Sequence, residues 1–274
     1  MISDTGSQDV FRTEERLVLM SGVDRQVSKF VSEITRGPFR CLGDGQSDGT
    51  SEYVVKQNQD YEDIYECAVY QAYLDMCRTL AGIGKSEKKA KTSEITRSLA
   101  TASLRDYFSG RPKTKEEAFD GWHGATMLKI STPLRLKCGQ AQKILNMAFK
   151  YLYCCKDIRE GKAKHFKYCH MPLDSYTLAW YKRECDTQYD GEAWSSIDDI
   201  VKYARITESI RQKLNRENVL LAEFGIWQEE KERINTNMAR KAALKVASYD
   251  GCPSDLREQL ARFSDDLDEQ LSQR

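Results

Sequence analysis

The sequence predicts an almost entirely α-helical fold, and three observations carry that expectation. Only five prolines occur in 274 residues. Apolar residues recur at spacings of three and four through most of the chain, as an amphipathic helix requires. Alternation of period two, the mark of a half-buried strand, is weak everywhere.

The elements follow in order. Thr13 to Thr35 reads as a helix, with Leu17, Met20, Val23, Val27, Phe30 and Ile34 in one stripe and Gly37-Pro38 as its stop. Gly43 to Gly49 is a loop by composition. It follows no strand and lacks Gly-Lys-Ser/Thr, so it is not a phosphate loop. A second helix is expected from Tyr61 to Ala81, closed by Gly82 and Gly84, with a lysine-rich linker after it. A third starts at Thr92 or Ser93 and reaches Gly110. Lys113 to Ile130 forms a fourth, and Gly139 to Tyr153 the clearest of all. Lys156 to Cys169 reads as a basic loop and Leu173 to Arg183 as a short helix. Ser196 to Glu217 and Val219 to Val246 are long helices, and Ser254 to Gln270 is an acidic one. No internal repeat is present. The expected organisation is one helical domain over 1–249, or two helical lobes with a cleft between them, followed by an acidic helix or tail over 250–274.

Hydrophobic residues make up 40% and charged residues 31%, an ordinary globular mixture. No stretch of 18 apolar residues appears, and Met1 to Gln8 is polar with no apolar core, so a soluble, cytoplasmic protein is expected. The nine cysteines form no C-x-x-C pair, which speaks against zinc-ribbon and iron–sulfur spacings. They are expected to be reduced and packed as small hydrophobes. No metal or cofactor is implied.

The formal net charge is zero, but its distribution is uneven. From Lys129 to His170 ten Lys/Arg face two acids, a local +8. From Asp250 to Arg274 seven acids face three arginines, a local −4. A basic middle of this kind is either a solvated helix face or a polyanion site. Trp122-His123 offers a stacking wedge, or else a core tryptophan beside a surface histidine. Trp180-Tyr181 is expected in the core. His165 and His170 flank the basic connector and are placed to touch phosphate; five apart in a loop, they make a poor metal pair.

The informative segment is Gly139-Gln-Ala-Gln-Lys143, followed by Pro172-Leu-Asp174-Ser. Lys143 is expected in the first turn of its helix, where the positive end of the dipole disfavours an ammonium and favours a neutral amine nucleophile. The same N-terminus, with Gly139, suits a DNA phosphate. Asp174 opens a later helix as an N-cap, which fixes a carboxylate in direction and keeps it ionised. An amine beside a fixed carboxylate is the pair that N-glycosidic cleavage needs.

These residues resemble the helix-hairpin-helix DNA glycosylases, over about Leu136 to Trp227. Gly139-Gln-Ala-Gln-Lys143 is similar to the hairpin exit carrying the catalytic lysine, and Pro172-Leu-Asp174 to the Pro-Val-Asp element carrying the catalytic aspartate. The long connector is most similar to the archaeal 8-oxoguanine glycosylase branch. There a later helix places an acid four residues before a tryptophan at the base pocket, and Glu223-Phe-Gly-Ile-Trp227 has that spacing, with Glu in place of Asp. The resemblance implies a DNA glycosylase, with or without lyase activity, acting on a damaged or modified base in repair or in defence against modified foreign DNA. Lys143 would be the nucleophile, Asp174 the carboxylate, Glu223 and Trp227 the base-binding pair. Gly139, Lys137, Lys164, Lys167 and His170 would meet the DNA. The other expectation is a non-catalytic helical module that binds nucleic acid or an acidic partner through 129–170. The enzyme reading needs Lys143 and Asp174 to face each other across a concave, basic cleft; on separate surfaces they favour the binding module.

Overall fold

A computed structural model describes residues 25–30, 63–80 and 87–272. Among these residues all regular structure is helical: α1 (25–30), α2 (Ile64–Cys77), α3 (Glu87–Ser109), α4 (Glu116–Ser131), α5 (Cys138–Cys154), α6 (Lys156–Gly161), α7 (Ser175–Glu184), α8 (Ile200–Lys213), α9 (Val219–Ala247) and α10 (Ser254–Ser272). Short 3₁₀ turns lie at Ala163–Phe166 and Trp194–Ser196. No helix among them is long and apolar enough to cross a membrane. The Gly43–Gly49 loop and most of the expected 13–35 helix lie outside the described residues.

The chain forms two compact units, Met1–Gly225 and Ile226–Arg274. The division falls within α9, ahead of the boundary expected at 250. In the second unit, Arg240 pairs with Asp268 at 2.6 Å and joins the C-terminal part of α9 to α10.

In the first unit α5 is the central helix, packed against α2, α4, α8 and the Trp194 turn. Every residue from Gly139 to Leu152 is buried. Its apolar side meets an aromatic cluster: Phe149 lies 5.4 Å from Tyr107, 5.7 Å from Phe108 and 5.9 Å from Trp122, ring centre to ring centre. Such edge and offset contacts add to the area these rings bury. Trp122 packs half-buried against this cluster, and His123 beside it is buried rather than on the surface. Trp180 and Tyr181 are core residues, as their composition suggested.

Local chemistry explains where helices start. Asp63 caps α2 by accepting the Glu66 N–H at 2.9 Å. α3 begins at Glu87, earlier than the Ser93 start the sequence suggested, because the Lys/Ala-rich linker consists of good helix formers. Ser93 is buried instead, its hydroxyl accepting from Tyr73 Oη at 2.7 Å. The segment 156–169 is not an open loop. It holds α6 and a 3₁₀ turn, because Phe166 and His165 are buried and draw it onto the core. Before α5 the chain turns at Arg135, whose φ of 53° lies in the left-handed region. The Leu136 N–H then returns to Ser131 O at 2.9 Å and closes α4.

Candidate functional site

α5 is the most deeply buried helix, yet Gln142, Lys143, Asn146 and Lys150 all lie within it and are all buried. Buried polar groups persist only where they are paired. Each of the four has partners, and together these partners build the site.

Lys143 Nζ lies 2.9 Å from Asp174 Oδ2, and both side chains are almost enclosed, at 6% and 13% exposure. The other carboxylate oxygen, Oδ1, accepts the N–H groups of Tyr176 and Thr177 at 2.9 and 3.0 Å. Asp174 is thus the N-cap of α7, as expected from Pro-x-Asp-Ser, and Thr177 Oγ1 answers by accepting the Asp174 N–H at 2.8 Å. Burial alone would raise the Asp174 carboxyl. The Lys143 ammonium and the Thr177 N–H outweigh it and hold the carboxyl below the usual range. α5 begins at Cys138, which places Lys143 in its second turn rather than its first. The helix dipole fades within one turn, so the group that governs Lys143 is Asp174.

Gln142 positions the aspartate. Its Nε2 donates to Leu173 O and Gly139 O, both at 2.9 Å, and its Oε1 accepts the Leu173 N–H at 3.1 Å. Both backbone groups of the residue before Asp174 are therefore held by one side chain on α5. Asn146 Nδ2 donates to Gln142 Oε1 at 2.9 Å and to Tyr203 Oη at 3.1 Å, while Asn146 Oδ1 accepts from His123 Nε2 at 2.7 Å. Sequence reasoning missed Gln142 and Asn146. The signal was present: polar residues one helical turn apart on the helix with the strongest apolar pattern.

Two helical turns beyond Lys143 along α5, Lys150 Nζ lies 2.5 Å from Glu223 Oε2, both fully buried. The ammonium sits 3.7 Å from the ring centre of Phe30 and 4.8 Å from that of Phe224. Burial raises the Glu223 carboxyl, and Lys150 offsets part of the rise. Tyr151 Oη donates to Asp75 Oδ2 at 2.6 Å. The Asp75 carboxyl is raised by burial, with Lys143 and Lys150 both pulling it down.

The structure relocates several residues expected at the DNA. Gly139 spends its N–H on Ile197 O at 2.8 Å. A Cβ there would stand 1.7 Å from Trp194 O, so this glycine serves a close backbone approach. His170 is buried: its Nδ1 accepts from Tyr203 Oη at 2.8 Å and its Nε2 donates to Asp120 Oδ1 at 2.8 Å. It holds the core together and does not face outward to a phosphate, because Asp120, bound by Arg211 at 2.6 and 2.8 Å, closes that side. Lys137, Lys164 and Lys167 are exposed. Glu223 is engaged by Lys150. Trp227 belongs to the second unit, half-buried, with Lys231 Nζ 4.7 Å from its ring centre.

A thiol centre has no support among the described residues. Cys67, Cys138 and Cys155 are each pushed up to about 12 by burial, so they stay protonated and poorly nucleophilic. Searches with protein-family models, curated proteins and solved structures return no match to this chain.

Proposed function

We propose that the chain is a DNA glycosylase, with Lys143 as nucleophile and Asp174 as the carboxylate that serves it. The observation that carries this reading is the 2.9 Å contact between Lys143 Nζ and Asp174 Oδ2. The second carboxylate oxygen is tied to two backbone N–H groups, so the charge cannot turn away. Such a preorganised charge is worth most in a water-poor site. Asp174 takes a proton from the lysine, and the amine forms a bond to C1′ of the nucleoside. The glycosidic C–N bond breaks, its electron pair leaves with the base, and the base gains a proton. The lysine nitrogen then loses a second proton, its lone pair closes the C1′=Nζ double bond as the C1′–O4′ bond breaks, and O4′ takes up a proton; the protonated imine so formed permits strand scission by β-elimination. Both side chains are nearly enclosed, which requires a nucleotide that leaves its stack.

A second reading has its own observation. Lys150 and Glu223 form another buried ion pair in the same interior. Two such pairs also suit a non-catalytic helical module whose polar core is structural.

Borohydride trapping on duplexes carrying a range of modified bases separates the two. Wild type is expected to yield a covalent adduct, and Lys143→Gln none. Asp174→Asn keeps the cap but removes the charge, and a rate loss on the order of a hundredfold is expected. Absence of a wild-type adduct on every duplex and single strand tested overturns the lysine-nucleophile reading.

A further inference from the structure

Resting on that reading, we infer that Trp194 is the stacking wall of the substrate site, against which the base of an extruded nucleotide lies. The Trp194 ring centre is 5.8 Å from Lys143 Nζ. The residue is half-exposed, and among the described residues no aromatic ring lies against it. Trp180, by contrast, is buried in the core, and Trp122, half-exposed like Trp194, has its ring against Tyr107, Phe119 and Phe149.

The loop that carries Trp194 is braced. Lys202 Nζ holds Asp190 at 2.8 Å and Glu192 at 2.7 Å. Tyr189 Oη donates to Glu192 O at 2.7 Å, and the Ser196 N–H to Ala193 O at 2.8 Å. On the far side the Trp194 carbonyl rests on Gly139, which has no Cβ to hold it off. An indole presented on such a loop, beside a buried amine, loses little freedom when a flat ligand meets it. A nucleotide whose C1′ reaches Lys143 brings its base within reach of that face. Stacking of this kind tolerates any base, so Trp194 contributes affinity rather than choice of base.

The test compares wild type, Trp194→Ala and Trp194→Phe on three short duplexes: fully paired, with one central mismatched base, and with an abasic site at that position. Wild type is expected to prefer the last two. Trp194→Ala is expected to weaken the mismatched duplex by about tenfold, with binding to the abasic duplex unchanged because no base is there to stack. Trp194→Phe is expected to recover most of the loss, and thermal melting checks that each variant is folded. Equal weakening on the mismatched and abasic duplexes, or none on either, overturns the role of Trp194 while leaving the glycosylase reading intact. A wild-type protein without preference for either duplex overturns both.

Discussion

His123 and His170 lie tilted against each other with ring centres 4.3 Å apart inside the first unit. Two charged imidazoles at that distance would repel. Burial lowers both below the usual histidine value, His123 the more strongly; His170 and Arg211 lower His123 further, Arg211 also lowers His170, and Asp120 pulls both the opposite way. Tyr203 donates to His170 Nδ1 and so favours its neutral form, while the Asn146 oxygen at His123 Nε2 pulls His123 the other way without outweighing burial. In the unfolded chain a histidine takes up its proton at about pH 6.5. Between that value and the lower folded values the unfolded state binds more protons. The stability these two residues confer is therefore present above about pH 6.5 and lost as pH falls below it. The thermal midpoint is expected to drop between pH 7 and pH 5. A midpoint that is flat or rises over that interval contradicts the neutral assignment.

Asp174 adds a second window at lower pH. Its carboxyl is held below the ordinary value, so its contribution is present above about pH 4 and is lost as pH falls through the folded value. Acid unfolding is thus expected in two stages, the histidines first and the aspartate after.

At the scale of elements, α5 shows how one helix both supports a core and carries a site. Its aromatic and aliphatic face packs on α2 and α4, while Gln142, Lys143, Asn146 and Lys150 turn to polar partners on other segments. The N-terminus of α5 depends on Gly139. Alanine there places a methyl group against backbone, which has no flexible end to swing aside. Gly139→Ala is expected to destabilise the protein by about 1–3 kcal/mol, as overpacking does, and to displace the Trp194 turn. Denaturant unfolding measures the first effect. A variant as stable as wild type shows that the turn moves freely, which the bracing by Lys202 argues against. The sequence suggested a phosphate-binding role for the same glycine. The two roles look alike in a string of letters, since both need a backbone without a side chain.

For the whole molecule, the charge distribution reads differently in three dimensions. Two of the ten basic residues between Lys129 and His170, Lys143 and Lys150, are buried in ion pairs and contribute nothing to the outer field. The remaining eight, including Lys137, Lys164 and Lys167, are exposed or half-exposed. Any DNA affinity they supply is expected to fall with salt through counterion release. Lys164→Ala with Lys167→Ala is expected to lower the log–log salt slope by about 1–2 while leaving borohydride trapping at low salt in place. An unchanged slope places the DNA on another surface.

The helical class, the order of the helices and the cap at Asp174 were legible in the sequence, because each depends on neighbours within a few residues: apolar spacing, proline scarcity, a carboxylate next to free N–H groups. The register of Lys143, one turn deeper than expected, and the start of α3 were not, since helix ends are decided by what the flanking segment packs on. The meeting of Lys143 with Asp174 could only be expected from the sequence; the two stand 31 positions apart, and the chain between them has to fold before they touch. Other pairings ran against expectation for the same reason. Glu223 went to Lys150, and His170 to Asp120 and Tyr203, because a buried charge or imidazole takes whichever partner packing brings within reach. Chain-local physics thus determined the elements of this protein, and the tertiary structure alone decided which polar side chains those elements enclose together.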